Sequence, residues 1–138
     1  MRTALDTNII SALWSGEASK DELVKLLTRS RREGGLVVCG AVYAELMAYP
    51  STSRNALDRF LSESDIQKDF VTGRDVWLEA GRAYAEYAQR RRASAGGLAK
   101  RLLVDFVVGA HALYEADRLL TLDSERYRHA FPSLVLLS

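Results

Sequence analysis

Residues 102–114 would form a helix that is apolar on nearly every side, yet the segment contains one acidic residue, Asp105. A helix that is hydrophobic all round must be buried inside a fold. An ionised carboxylate is costly to bury unless a partner compensates its charge. The segment therefore predicts a buried helix in which some group pairs with Asp105, and a metal ion shared with other carboxylates is the simplest candidate.

Short apolar strands alternate with amphipathic helices along the chain. The predicted strands span residues 3–5, 36–39, 66–70, 118–121 and 134–137. The predicted helices span residues 7–15, 19–31, 40–49, 53–62, 72–92, 102–114 and 124–130, and Ser19 with Glu22 forms a capping-box pattern. This alternation predicts an α/β fold, with a mainly parallel central sheet of four to five strands and helices on both faces. No repeat or second domain is visible, so residues 1–138 are expected to form a single domain.

The composition excludes several classes of protein. With 48% hydrophobic and 27% charged residues, the chain is typical of a globular protein, and its net charge of +1 means that any basic nucleic-acid footprint must be local. The single cysteine, Cys39, excludes an intramolecular disulfide framework. The N-terminus turns acidic too early for a signal peptide, and no apolar run approaches the ~20 residues of a membrane span. A cytoplasmic location without membrane contact is therefore predicted.

Four acidic residues are predicted to meet at one edge of the sheet. Asp6 ends the first strand, and Asp123 follows the strand at 118–121. Glu45 and Asp105 lie on helices that follow connections from the same edge. Sites in open α/β sheets form beyond the carboxyl ends of the strands, so these acids can converge.

Converging carboxylates require cations or protons. Two unit charges ~4 Å apart repel by roughly 4 kcal/mol at an effective dielectric of ~20. Oxygen ligands suit a hard ion such as Mg²⁺ or Mn²⁺, which favours metal-dependent attack of water on a phosphate ester. Plainer roles stay open for three of the acids: Asp6 and Asp123 could be helix N-caps, and Glu45 could be a solvated helix residue.

The acids stand in four motifs. These are Asp6-Thr7-Asn8-Ile9-Ile10, Ala44-Glu45-Leu46, Asp105-Phe106-Val107-Val108-Gly109-Ala110-His111-Ala112, and Leu119-Leu120-Thr121-Leu122-Asp123 with Tyr127, Phe131-Pro132 and Leu134 behind it. Together they resemble the motifs of PIN-domain ribonucleases over essentially the whole chain. Their spacing and the total length resemble the VapC-type toxins of bacterial toxin–antitoxin pairs.

The resemblance implies a PIN-like three-layer sandwich and a Mg²⁺- or Mn²⁺-dependent endoribonuclease. It implies that Asp6, Glu45 and Asp105 are the core metal-binding carboxylates and that Asp123 is the fourth, more variable acid. Asn8 and Thr121 match polar positions that help to orient the acids. The resemblance also implies a cognate antitoxin and a toxin homodimer, and it does not select an RNA target.

Basic residues are concentrated between Arg82 and Arg101, with six cations against one acid. The residues expected to contact an RNA backbone are Arg91, Arg92, Lys100 and Arg101, beside the Asp105 helix. The alternative is that these charges complement a helix C-terminus and are simply solvated.

Three other functions stay open at this point. A PIN nuclease for RNA maturation without an antitoxin has the same motifs. A HAD-like phosphatase also begins with an aspartate after its first strand, although Asn8 stands where its second aspartate belongs. A non-catalytic interaction module on the same fold is the third, and the intact acids disfavour it.

Overall fold

Five parallel strands form the centre of the computed structural model, which describes residues 1–16, 19–94 and 101–137. The strands are β1 (Thr3–Leu5), β2 (Leu36–Cys39), β3 (Ile66–Asp69), β4 (Arg118–Leu120) and β5 (Leu136–Leu137), in the order β3-β2-β1-β4-β5. Every residue of β1, β2 and β4 is buried, so both faces of the inner strands are covered, because successive side chains point to opposite faces. The predicted α/β class is confirmed, and every strand pair is parallel.

Seven helices connect these strands in the described residues. They are α1 (Thr7–Ser15), α2 (Lys20–Glu33), α3 (Gly40–Leu46), α4 (Arg54–Glu63), α5 (Arg74–Ala93), α6 (Leu103–Glu115) and α7 (Ser124–Arg128). None of these helices combines the length and the apolar character that crossing a bilayer requires.

Three local predictions were wrong. Helix α3 ends before residue 49, because the backbone N–H groups of Ala48 and Tyr49 donate to carbonyls three residues back as the chain approaches Pro50. Strand β5 is shorter than predicted, since the N–H of Leu134 closes a turn on the carbonyl of Phe131. The predicted capping box is not formed, because the Ser19 side chain makes no cap hydrogen bond.

The strand order places a crevice at the carboxyl end of β1. The chain runs outward from β1 through β2 to β3, and then crosses to β4 and β5 on the other side. Such a reversal of strand order is where α/β sheets bind ligands. Asp6 follows β1 directly, and its backbone N–H donates to the carbonyl of Leu120 at the end of β4.

Helix α6 is buried over its middle, as the sequence predicts, whereas Leu103 and Tyr114 near its two ends are exposed. All residues from Phe106 to Ala112 are buried, including His111, whose Nε2 lies 3.0 Å from Oδ2 of Asp69 at the end of β3. The ring of Phe131 packs directly against Gly109. The absence of a side chain at Gly109 thus lets the C-terminal segment close over the helix.

A substitution tests this contact. In Gly109→Ala the new Cβ would overlap the Phe131 ring, so we expect the free energy of unfolding to fall by about 1–3 kcal/mol despite the better helix propensity of alanine. Gly81→Ala in α5 is the matched control, because its Cβ meets no atom within 4 Å and should be neutral or slightly stabilising. Chemical denaturation measures both, and equal effects in the two variants would contradict the packing role of Gly109.

Candidate active site

A cavity of about 270 Å³ contains three of the four predicted acids. Its lining residues are Asp6, Thr7, Asn8, Ser11, Glu45, Asp105, Leu122 and Arg126. These side chains come from the ends of β1 and β4 and from helices α1, α3, α6 and α7. The fourth acid, Asp123, lines an adjoining groove instead.

Asp6 is the most firmly held acid. Its side chain caps α1, with Oδ1 accepting from the N–H of Thr7 at 2.8 Å, and the residue is only 5% exposed. Oδ2 accepts from the hydroxyls of Thr121 at 2.8 Å and Tyr127 at 2.9 Å. Burial raises the pKa of Asp6, while these three hydrogen bonds oppose that rise. Because an ionised carboxylate has about four acceptor positions, one position on Oδ1 is left for a further ligand.

The two polar residues predicted to support the acids lie in the same network. The Thr121 hydroxyl, which donates to Asp6, accepts from the N–H of Asp123 at 3.0 Å and from the Asn8 amide at 3.5 Å. The Asn8 carbonyl accepts from the N–H of Leu122 at 3.1 Å. Asn8 therefore ties α1 to the segment after β4, and Thr121 fixes the orientation of Asp6.

Glu45 enters the cavity from α3, which starts directly after β2. Its Oε1 accepts a hydrogen bond of 2.6 Å from the hydroxyl of Thr7. The residue is exposed, so its second oxygen is accessible to solvent or to a ligand. Thr7 therefore positions two acids, through its backbone N–H to Asp6 and its hydroxyl to Glu45.

Asp105 lies between two guanidinium groups. Its Oδ1 accepts from Nη1 of Arg126 at 3.2 Å, and its Oδ2 is 3.8 Å from Nε of Arg101. Arg126 also pairs with Asp123, whose Oδ2 is 3.0 Å from Nε, while Asp123 caps α7. Burial lowers the pKa of Arg126, but the acidic groups around it, Asp105 first and Asp123 next, together raise the pKa above its usual value. The groups that pair with Asp105 in this structure are thus arginine side chains, whereas the sequence pattern favoured a metal ion.

The oxygen atoms that could act as metal ligands around the cavity are of the chemical type that a hard divalent cation prefers. They are carboxylate and amide oxygens with one open position on Asp6, and neither histidine nor cysteine lines the cavity. As the side chains stand, no three acidic, histidine or cysteine residues within residues 1–16, 19–94 and 101–137 are close enough to hold an ion together. An ion shared by three of these acids would therefore need their side chains to stand closer together than they do here.

A basic groove of about 580 Å³ adjoins the acidic cavity. Its lining residues are Tyr87, Arg90, Arg91, Ser94, Arg101, Asp123, Glu125, Arg126 and His129. Of the residues predicted to bind RNA, Arg91 and Arg101 line this groove, Arg92 is exposed and lies outside its lining, and Lys100 falls outside the described residues. The guanidinium of Arg101 lies over the ring of Phe106, 4.5 Å from its centroid.

Sequence reasoning missed three residues of this site: Thr7, Arg126 and Tyr127. Arg126 had a local signal, because it stands three residues after Asp123 on a short helix, a spacing at which side chains pair. Tyr127 is fully buried, and a buried phenol usually finds a hydrogen-bond partner. Thr7 had no local signal for its bond to Glu45, which lies 38 residues away.

The parallel sheet and the acidic cavity at its strand reversal define the class as an α/β domain with a carboxylate site. The PIN-domain family model matches residues 3–132, so the chain belongs to the PIN-domain family. PIN domains are nucleases, which places the chain among hydrolases that act on nucleic acids. No curated protein matches the chain significantly by sequence.

Solved structures with the same fold cover nearly the whole chain. VapBC2 from Rickettsia felis, bound to a DNA fragment from its promoter, is 24% identical with a TM-score of 0.68, over 99% of this chain and 98% of that one. VapBC-1 from nontypeable Haemophilus influenzae is 20% identical with a TM-score of 0.68, over 100% and 98%. FitAcB from Neisseria gonorrhoeae is 18% identical with a TM-score of 0.66, over 99% and 96%. At these identities the likeness shows the fold.

The hydrogen bond from Tyr127 to Asp6 can be tested by Tyr127→Phe. The ionised form of Asp6 loses a donor, so its pKa should rise further. A carboxyl whose pKa is raised in the fold supports stability at low pH and withdraws that support as pH increases through its folded pKa. We therefore expect a loss of about 1 kcal/mol at neutral pH that shrinks in acid.

Urea denaturation as a function of pH and NMR titration of the Asp6 carboxyl measure these effects. Tyr84→Phe is the control, because it removes a hydroxyl from a half-buried ring that packs on Phe106 and should leave the pKa of Asp6 unchanged. An Asp6 titration that is identical in Tyr127→Phe and the parent chain would contradict the assigned hydrogen bond.

Proposed function

We propose that this chain is a metal-dependent endoribonuclease that hydrolyses RNA phosphodiester bonds and acts in the cytoplasm as the toxin of a toxin–antitoxin pair. The observation that carries the proposal is one cavity in a PIN fold lined by Asp6, Glu45 and Asp105 from three separate elements. The family match removes the HAD-like phosphatase from the alternatives.

The acids have distinct roles in this proposal. Asp6, Glu45 and Asp105 would hold Mg²⁺ or Mn²⁺, with Asp123 contributing from the edge of the basic groove. A bound divalent ion supplies a lowered water pKa and positive charge beside the phosphoryl oxygens. Asp6 is the acid whose side chain is held in place, because three hydrogen-bond donors and its burial restrict its rotation. Glu45 is the acid that can change position, since it is exposed and, within residues 1–16, 19–94 and 101–137, its side chain is held by the hydroxyl of Thr7 alone.

The basic groove would bind the RNA strand that leads to the acidic cavity. Arg90, Arg91 and Arg101 line it, and it meets the acids at Asp123 and Arg126. Lys and Arg contacts to phosphates supply most sequence-independent affinity for nucleic acids. Phosphates held there would place a neighbouring phosphodiester beside Asp105 without reading the base sequence.

An antitoxin and a second toxin subunit complete the proposal. The fold is that of the VapBC structures, and VapBC pairs join a toxin to its antitoxin. If an adjacent small open reading frame encodes the antitoxin, its product should bind this chain and abolish cleavage. The rival, a PIN nuclease for RNA maturation, predicts no such partner. The homodimer stays a prediction that sedimentation of the purified chain would test.

The catalytic part is tested with purified, partner-free protein and RNA. EDTA should abolish cleavage, and Glu45→Gln and Asp105→Asn should each lower its rate at least about 100-fold, the scale of losing one electrostatic contact in a preorganised site. Glu22→Gln is the matched control, because Glu22 is a solvent-exposed acid on α2 that pairs only with Lys25 among the described contacts. Cleavage that survives both the chelator and the two variants would refute the proposed mechanism.

Substitutions at two neighbouring arginines test whether the basic groove binds RNA. Arg91 lines the groove, and Arg92 does not. Binding of RNA is measured in EDTA at several salt concentrations, so that no cleavage intervenes. In Arg91→Gln the slope of log affinity against log salt should fall by about 0.7, the value for one phosphate contact on a single strand. In Arg92→Gln it should not change. Equal slopes in the two variants would remove Arg91 from the RNA path.

A further inference from the structure

Arg126 connects the acidic cavity to the basic groove. It is the one side chain in the described part of the chain that lines both. Its Nη1 donates to Oδ1 of Asp105 at 3.2 Å, and its Nε is 3.0 Å from Oδ2 of Asp123. The guanidinium therefore stands between two acids that belong to different cavities.

The two acids differ in how firmly they hold this guanidinium. Asp123 also accepts from the backbone N–H of Arg126, so it fixes the helix from which the side chain starts. Asp105 contacts only the end of the side chain, and it is 17% exposed while Arg126 is 38% exposed. The contact to Asp105 can thus break by rotation of the side chain while the contact to Asp123 is kept.

A divalent ion and this guanidinium would both bind the carboxylate of Asp105. An ion shared by Asp6, Glu45 and Asp105 needs an oxygen of Asp105, and Oδ1 already accepts from Arg126. Two cations a few ångström apart repel each other, and the repulsion is stronger in a partly buried site than in water. This repulsion favours withdrawal of the Arg126 guanidinium from Oδ1 into the basic groove beside it, while Arg101 stays 3.8 Å from Oδ2 of Asp105.

We propose that Arg126 is a positioning residue that serves as an internal counter-cation: it neutralises Asp105 when the site holds no divalent ion, and it competes with the ion for that carboxylate. On ion binding, Arg126 turns from Asp105 into the basic groove, where its charge faces the RNA backbone. This inference rests on the proposed function, because it takes Asp105 as an ion ligand.

If Arg126 and the ion compete for Asp105, removing the charge of Arg126 should change the affinity for the ion. Arg126→Gln should bind Mn²⁺ more tightly than the parent chain, by at least about fivefold, which is the low end of usual couplings between sites. The ion-free variant should melt at a lower temperature, since Asp105 and Asp123 lose their shared cation, and Mn²⁺ should raise its Tm by more than it raises that of the parent. A purely structural role would lower stability without tightening Mn²⁺ binding.

Calorimetric titration of the full-length, partner-free chain with Mn²⁺ alone measures the affinity, and no RNA is present. Arg126→Lys keeps the charge and should stay close to the parent chain. Arg128→Gln is the matched control, because it removes the same charge from the same helix at a residue that pairs with Glu125 instead of the site acids. If Arg126→Gln does not fold, Arg126→Met replaces it, since methionine preserves the apolar packing of the stem.

The outcomes separate this inference from the proposed function. If the parent chain binds Mn²⁺ and Arg126→Gln binds it no more tightly, the counter-cation role is wrong and the nuclease proposal is unaffected. Equal tightening in Arg128→Gln would also overturn it, because the effect would then be one of net charge. If neither the parent nor any variant binds Mn²⁺ saturably, both the inference and the proposed metal-dependent function fail.

Discussion

The hydrogen bonds to the buried carboxylate of Asp6 join three separate elements at the site. Thr7 donates from the start of α1, Thr121 from the segment after β4, and Tyr127 from α7. Burial alone would drive this carboxyl toward its neutral form, so an acid that works as an anion at this position requires these donors. The same bonds hold α7 against the sheet, which means that the packing of the C-terminal segment and the orientation of the site acid depend on one group of contacts.

Electrostatic balance explains the arrangement around Asp6. The acidic cavity and the basic groove lie side by side, and Arg126 belongs to both. Close carboxylates repel unless a cation lies among them. In the structure the cation beside Asp105 is arginine, and in the proposed reaction it would be a divalent ion. Glu45 is exposed and Asp6 is buried, so the site combines one acid that is free to change its orientation with one that is held in place.

The sequence predicted most of the fold because its signals are local. Strand β2 matched residue for residue, and the burial of α6 followed from its apolar composition alone. Contacts between distant residues could not be predicted in the same way. Tyr127 and Asp6 are 121 residues apart, so that only the closed fold pairs them. Three of the four acids reach one cavity because strand ends share one edge of a sheet, whereas the position of Asp123 in the adjoining groove and the arginine beside Asp105 depend on where α7 docks.

The proposed nuclease activity depends on Asp6, Glu45 and Asp105 forming one divalent-cation site. Crystals of the partner-free chain grown with Mn²⁺, measured for anomalous scattering at the manganese edge, test it directly. We expect a manganese peak in the cavity beyond β1, within ligand distance of Oδ1 of Asp6 and of oxygens from Glu45 and Asp105. A fully formed cavity without such a peak at saturating Mn²⁺, or a peak bound only by other residues, would contradict it.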